Sequence, residues 1–284
     1  MAIFSNQATL TYNGTTTNSN IAYGELLDVL SVNKTSVEGS YTPGSLVTYV
    51  VTLRNTGSTT LTNLTVTDDL GGYNIGGTTV YPLTYEDGSA TLFLDGVLQP
   101  SPAVTAGPPL TITGINIPGG SDAVLVYQAR ANTYANPNAD GTIVNTVTAT
   151  GAGLSTPITA NATTPVETAP LLTISKSICP TQVVDNDRVT YTFVIQNFGN
   201  EPVVATDNAV VTDTFDPILT ALTVTLDGTV WTAGTEYTYN EATGLFTTTP
   251  GQIVVPAATY TQDPVTGAYS VTPGVVTLSI TGTI

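Results

Sequence analysis

The sequence consists of short runs in which apolar side chains recur at every second position. In "VTYVVTLRN" and "VTYTFVIQN" this alternation places one face of an extended strand toward a core. Turn-forming Gly, Pro, Asn and Asp separate the runs. No segment shows the three- and four-residue apolar spacing of an amphipathic helix. The pattern therefore predicts an all-β protein.

The alternating runs recur as two copies of one pattern. "KTSVEGSYTPGSLVTY" spans Lys34 to Tyr49, and "KSICPTQVVDNDRVTY" spans Lys176 to Tyr191 with the same separation. Later segments such as "LDGV" and "LDGT" also correspond. Short alternating strands divided by turns are typical of an immunoglobulin-like β-sandwich. We predict two tandem domains of this kind, at residues 28–167 and 168–284, with a boundary near the Pro/Thr-rich "TTPVETAP".

Residues 1–27 are predicted to form a separate strand pair, because they match the closing strands of the first copy. Phe4 and Asn6 align without gaps on Ile143 and Asn145. The second copy stops after "VVTLSITGTI", where the first continues through "NTVTAT", so we expect domain 2 to lack its last strands. A sandwich without them exposes an apolar groove and an unpaired sheet edge.

We expect the N-terminal segment to fill that groove in a neighbouring copy, which gives a head-to-tail contact that does not close on itself. The predicted donor residues are Phe4, Asn6, Ala8 and Leu10. Two alternatives stay open: the segment folds back onto its own second domain, with the residues around Ile21 to Leu27 as a tether, or it is an ordinary first strand of domain 1.

Composition excludes several functional classes. The net charge of −16 argues against nucleic acid and anionic membranes as partners. The chain has no histidine, which rules out Ser-His-Asp catalysis and His-ligated metals. We expect no metal, no cofactor and no conventional enzyme activity. No apolar run reaches the length of a membrane span and no signal-peptide pattern is present. We therefore expect either a mature chain or export by another route.

The repeated phrases resemble the conserved immunoglobulin-like repeat of bacterial and archaeal surface proteins, a domain of unknown function. That family combines a Lys-bearing first strand with "VTYTxxVxNxG", "VTDT" and a closing "NTATVT"; this chain has "VTYTFVIQNFG", "VTDTF" and "NTVTAT". The resemblance covers nearly the whole chain. It implies a surface location and a structural or adhesive role rather than a reaction.

The only two lysines of the chain fall at the same place in the two copies, and alternation turns both toward the core. An Asp and an Asn of each copy face the same way. A buried charge must be paired, neutralised or consumed by a reaction.

The simpler interpretation of these inward polar residues is a hydrogen-bonded Lys–Asp pair with Asn beside it. The sharper one resembles the self-crosslinking domains of Gram-positive pilins and adhesins, in which a core lysine attacks an asparagine beside an acid and ammonia leaves. The predicted sets are Lys34, Asn145 and the proton-shuttling Asp68 within one chain, and Lys176, Asp213 and Asn6 between two chains.

Together these features predict a structural subunit of an extracellular, cell-surface or spore-surface fibre whose partner is a further copy of itself. The alternative is a monomeric surface adhesin that presents its loops to a ligand.

Overall fold

A computed structural model describes residues 2–26 and 29–284. The described chain is built of antiparallel β-strands, and its one helical element is a single 3₁₀ turn at Ala205–Asp207. The all-β prediction is confirmed. The chain divides into two compact units. Unit 1 comprises the described residues of 1–136 with 140–166 and 264–267, and unit 2 comprises 137–139, 167–263 and 268–284.

The N-terminal segment is a long hairpin, called the arm below. Its strands are β1 (Ala2–Asn6), β2 (Thr9–Tyr12), β3 (Thr15–Asn18) and β4 (Ala22–Leu26). β1 pairs with β4 and β2 with β3, around a turn at Asn13 and Gly14 with positive φ. The segment expected to act as a tether, around Ile21 to Leu27, is therefore mostly strand β4, because it pairs along β1; Leu27 lies outside the described residues.

Unit 1 is a sandwich of two sheets. One sheet has the order β12-β11-β15-β6-β5, with β10 also pairing to β15, and the other has the order β13-β14-β7-β16-β17. The small pair β8-β9 stands apart. The strands are β5 (Leu30–Ser36), β6 (Leu46–Asn55), β7 (Leu61–Asp68), β8 (Tyr73–Ile75), β9 (Thr78–Val80), β10 (Leu83–Tyr85), β11 (Thr91–Leu94), β12 (Val97–Leu98), β13 (Ala103–Thr105), β14 (Leu110–Ile117), β15 (Asp122–Ala131), β16 (Thr142–Thr150) and β17 (Ile158–Pro165).

The core of unit 1 lies between these sheets and follows the sequence alternation. β6 buries Tyr49, Val51 and Leu53, while β7 buries Leu64 and Val66 from the opposite sheet. Each such aliphatic side chain contributes about 1.5–3 kcal/mol to the free energy of folding when it leaves water. The alternating pattern alone thus accounts for which face of each strand is inside.

Unit 2 repeats the arrangement with fewer strands. One sheet has the order β18-β19-β27-β21-β22 and the other the order β20-β24-β23, with β25-β26 as a separate hairpin. The strands are β18 (Leu172–Cys179), β19 (Arg188–Asn197), β20 (Thr212–Thr214), β21 (Thr220–Leu226), β22 (Thr229–Trp231), β23 (Tyr237–Asn240), β24 (Leu245–Thr248), β25 (Thr259–Gln262), β26 (Tyr269–Thr272) and β27 (Gly274–Thr283).

Matching turns show that the two units share one chain plan. At the end of β6 the buried Asn55 donates from Nδ2 to the Thr59 carbonyl at 2.8 Å, and at the end of β19 the buried Asn197 donates to the Glu201 carbonyl at 2.6 Å. Each asparagine also accepts a backbone N–H two residues on. A Cβ at Gly199 would approach the Ala169 carbonyl to 2.1 Å, so this turn requires glycine.

The two units differ in how far their first strands are covered. In β5 the inward Leu30 and Lys34 are buried, whereas all eight residues of β18 are exposed, Ile174 to the extent of 57%. The strand β7 pairs with β14 on one edge and β16 on the other, but β20 has β24 as its only neighbour among the described strands. Unit 2 therefore presents an apolar strand face and an open strand edge.

Candidate crosslinking sites

Three strands bring the predicted residues of the first site together in unit 1. Lys34 is on β5, Asp68 ends β7, and Asn145 is on β16; all three are buried. β16 pairs with β7 so that Val147 lies opposite Asp68. Asn145 is two residues along on the same face, which makes it the diagonal cross-strand neighbour of Asp68. The local alternation of each strand is what turns these polar side chains inward.

Lys34 and Asp68 form a fully enclosed ion pair. Lys34 Nζ donates to Asp68 Oδ2 at 2.6 Å, and the two side chains are 0% and 1% exposed. The Tyr127 hydroxyl also donates to Oδ2, and the Leu70 N–H donates to Oδ1 at 2.7 Å. The carboxylate therefore has a donor on each oxygen, which fixes its position against the lysine.

Burial favours the neutral form of the Lys34 amine. Desolvation lowers the pKa of Lys34, and the charge of Asp68 and its hydrogen bond to the amine oppose that shift only in part. A low-dielectric surrounding disfavours the charged ammonium and so favours the neutral amine. A neutral amine is the form that attacks a carbonyl carbon.

Within residues 2–26 and 29–284, the side chain of the completely buried Asn145 has no hydrogen-bond partner. Five buried side-chain polar atoms lack a hydrogen-bond partner in the described part of the chain. Two of them are Asn145 Oδ1 and Nδ2, and two more, the Tyr49 hydroxyl and Thr164 Oγ1, belong to the same site. An unsatisfied buried polar group costs about 1–3 kcal/mol, so such a cluster is unusual in a core. The first site is thus assembled but has an unpaired amide.

The second site is assembled in part, in unit 2. Lys176 on β18 pairs with Asp213 on β20, and its ammonium lies 4.6 Å from the ring centroid of Tyr191. The sequence predicts that both lysines point toward the core, and Lys176 Nζ does lie 5.4 Å from the ring centroid of the buried Phe215. Its side chain is nevertheless 41% exposed, and all eight residues of β18 are exposed.

The asparagine predicted for the second site lies in the arm. Asn6 ends β1 and is exposed, as are its neighbours Phe4, Ala8 and Leu10. Phe4 and Leu10 are exposed to 61% and 65%. The described side chains of the arm include none that is buried. The structure thus places Asn6 in unit 1 and Lys176 with Asp213 in unit 2.

Three further residues line the first site, and none of them had a role predicted from the sequence. Tyr127 donates to Asp68, the Tyr49 ring has Lys34 Nζ at 4.6 Å from its centroid, and Thr164 is on β17. The equal spacing of Lys34–Tyr49 and Lys176–Tyr191 was the available signal for Tyr49. No comparable signal existed for Tyr127 or Thr164, because only the strand register places them at the site.

Comparisons with known proteins leave the function open. No protein-family profile and no curated protein matches the sequence. The solved structures that resemble it include the pilus backbone protein RrgB of Streptococcus pneumoniae, with 12% identity over 86% of this chain and 55% of that one and a TM-score of 0.36. The N-terminal domain of the Streptococcus gordonii adhesin Sgo0707 has 17% identity over 55% of this chain and 37% of that one, with a TM-score of 0.35.

A family 123 glycoside hydrolase of Clostridium perfringens is also similar, with 14% identity over 49% of this chain and 27% of that one and a TM-score of 0.32. This chain thus spans about half or less of the length of each of the three. Values this low carry no argument for a function, and the three proteins differ in function among themselves. Across residues 2–26 and 29–284, no helix is long and apolar enough to cross a membrane.

Proposed function

We propose that the chain is a structural subunit of an extracellular fibre, polymerised by insertion of the arm of one copy into unit 2 of the next. The observation that carries the proposal is that the arm and the strand β18 of unit 2 both expose apolar side chains. The location, on a cell or spore surface, is part of the proposal and rests on the resemblance of the repeats to surface proteins.

The pairing scheme of the arm supports this role. In the hairpin β16–β17 that completes unit 1, Asn145 lies opposite Ala162. In the arm, Asn6 lies opposite Ala22. The arm therefore presents the same Asn–Ala pair, on a hairpin of the same kind, with its apolar residues in water. An exposed apolar hairpin and an exposed apolar strand face each gain free energy when they cover one another.

The chemistry of the first site supports covalent locking. Neutral Lys34 Nζ attacks Asn145 Cγ, so that a C–N bond forms and the bond from Cγ to Nδ2 breaks. Asp68, which has taken the first proton of the Lys34 ammonium, gives it to the leaving nitrogen, so that ammonia is released. Asp68 then takes the second proton from the attacking nitrogen, and this proton leaves with the ammonia as ammonium, which restores the carboxylate. In the second site Lys176, Asp213 and an incoming Asn6 have the same three parts, and their bond joins two subunits.

A boiled, reduced denaturing gel with intact-mass analysis tests the proposal. The wild-type assembly should give a ladder of multimers whose lowest band is lighter than the sequence mass by one ammonia. Lys176→Ala or Asn6→Ala should collapse the ladder to that single band. Lys34→Ala should keep the ladder and restore the lost ammonia at the first site.

Other results would contradict parts of the proposal. A single band of unmodified mass would rule out both bonds, and negative-stain images would then decide whether strand insertion occurs without them. A monomer lighter by two ammonia molecules would show that the arm closes on its own chain. A monomer that forms no filaments would favour a surface adhesin instead.

A further inference from the structure

The crosslinking reaction of the proposed function needs a group that stabilises negative charge on the asparagine oxygen. When the amine adds to Cγ, Oδ1 becomes an alkoxide in the tetrahedral intermediate. In a dry core this charge is costly unless a preorganised donor is directed at it. Asp68 cannot serve both oxygen and nitrogen, because it is engaged by Lys34, Tyr127 and the Leu70 N–H.

The Tyr49 hydroxyl lies beside Asn145, and in the part of the chain that the structure describes its hydrogen is donated to no other group. Lys34 Nζ lies over the Tyr49 ring, and Asn145 and Thr164 lie near enough to its hydroxyl to lower its pKa. Within residues 2–26 and 29–284, this hydroxyl has no hydrogen-bond partner, and neither has Asn145 Oδ1. Tyr49 thus has the amine over its ring and the amide beside its hydroxyl.

The protonation state of Tyr49 suits a donor. Burial raises the pKa of Tyr49 above its ordinary value, and the charge of Asp68 adds to that shift. The phenol therefore keeps its proton at neutral pH. It can donate to an oxyanion without itself ionising.

Of the two tyrosines at the first site, Tyr49 has a counterpart in unit 2 and Tyr127 does not. Tyr191 takes the place of Tyr49 in unit 2, with Lys176 Nζ at the same 4.6 Å from the ring centroid. The strand register places Ile280 opposite Tyr191, where unit 1 has Tyr127 opposite Tyr49. Tyr127 is therefore not a shared part of the two sites.

The hydroxyl of Thr164 is not shared either. Thr164 lies opposite Ile143 in unit 1, and Phe4, the residue of the arm that matches Ile143, lies opposite Gly24. A second site completed by the arm would thus have lysine, aspartate, asparagine and tyrosine, but no counterpart of Thr164 or Tyr127.

We propose that Tyr49 is a catalytic residue of the first crosslink, whose hydroxyl donates a hydrogen bond to Asn145 Oδ1 as charge develops there, and that Tyr191 does the same for Asn6 of an incoming arm. This rests on the proposed function. It assigns the oxyanion donor that the Lys–Asp–Asn set lacks.

Tyr49→Phe in the full chain, combined with Lys176→Ala so that only the first site reacts, tests the assignment. Newly translated protein is sampled over time, and loss of ammonia is followed by intact mass. We expect the rate to fall about 100-fold or more, the usual effect of removing one oxyanion donor. The midpoint of thermal unfolding of unreacted chains, made with Asn145→Ala, should not fall, because an unpaired hydroxyl is removed.

The control is Tyr85→Phe, which removes another buried hydroxyl of unit 1, one that accepts the Ala90 N–H at 3.2 Å. Its rate should match that of the parent. Equal rates in the parent and in Tyr49→Phe would overturn the inference, as would an equal rate loss in Tyr85→Phe. If the parent itself loses no ammonia, the crosslink of the first site has failed instead.

Tyr191→Phe gives a second test should Tyr49→Phe not fold. In the otherwise wild-type chain it should slow the growth of the multimer ladder while the loss of one ammonia per monomer proceeds at the parental rate. An unchanged ladder would contradict the assignment of Tyr191.

Discussion

Lys34 and Lys176 are a matched pair that differs in exposure. Each contacts an aspartate and lies 4.6 Å from the centroid of a tyrosine ring, yet one side chain is 0% exposed and the other 41%. Desolvation lowers the pKa of Lys34. In the proposed assembly, strands that cover β18 would desolvate Lys176 as well. Reactivity at the second site would then depend on the arrival of those strands.

The lowered pKa of Lys34 predicts a pH-dependent stability in a chain that cannot crosslink. In Asn145→Ala, between the folded pKa of Lys34 and the ordinary value of 10.5, the unfolded state binds more protons than the folded one. The free energy of unfolding should therefore rise with pH in this window, by at most about 1.4 kcal/mol per pH unit.

Urea unfolding of Asn145→Ala, with and without Lys34→Met, measures this effect. The methionine variant keeps the packing but has no amine, so the difference between the two curves isolates Lys34. A difference that stays constant from neutral pH to pH 10 would contradict the prediction.

Among the elements, the arm and the hairpin β16–β17 have the most in common. Both place a small alanine opposite an asparagine, and both have their strands in antiparallel register around a glycine-containing turn. The inward side chains of β16 are buried in the core of unit 1, whereas the described side chains of the arm are exposed to water or nearly so. The two hairpins therefore differ in whether a sandwich covers them.

A synthetic arm peptide, residues 2–26, should bind to a chain from which residues 1–26 are deleted. It supplies the strands that cover β18 and the asparagine that the second site needs. We expect a covalent adduct whose mass is the sum of the two minus one ammonia. The adduct should be absent with Asn6→Ala in the peptide or Lys176→Ala in the protein, and Phe4→Asp should weaken binding because it places a charge on the apolar face.

Alternation was a sufficient guide to the strands and to the inward faces of β5, β7 and β16, since side-chain direction in a strand is a local property. It could not show whether a second sheet covers a given face, so it did not predict that the side chain of Lys176 is 41% exposed. It could not show that Tyr127 meets Asp68 either, because that contact depends on the register of β15 with β6, in the sheet opposite β7. Contacts of this kind are fixed by the assembled sandwich.

At the scale of the whole molecule, the basic residues are few and lie in strands. Lys34, Arg54, Arg130, Lys176 and Arg188 are the five, on β5, β6, β15, β18 and β19. Trypsin requires an extended, accessible segment on each side of such a residue, which a paired strand does not offer. We therefore expect trypsin to cleave the folded chain more slowly than the unfolded one.

Trypsin provides a map of the proposed bonds once the protein is unfolded. In urea-unfolded polymer, cleavage should occur after the three arginines but not after either lysine, because acylated lysine is not a substrate. In Asn145→Ala, cleavage after Lys34 should return while Lys176 stays resistant. Peptide mass fingerprints distinguish these cases, and full cleavage after both lysines in wild-type polymer would contradict the proposal.

The positions of the two lysines also decide how the proposed fibre would carry tension. A pull on the arm enters at Asn6, runs along the chain to Lys34, crosses the bond to Asn145, and continues through β17 to Lys176 on β18, where the next subunit takes it up. Residues 35–144 and everything after Lys176 lie off this path. Most of each sandwich would therefore bear no tension, because the continuous covalent path bypasses it. Its loops and inner strands could unfold or vary in sequence without lengthening the fibre.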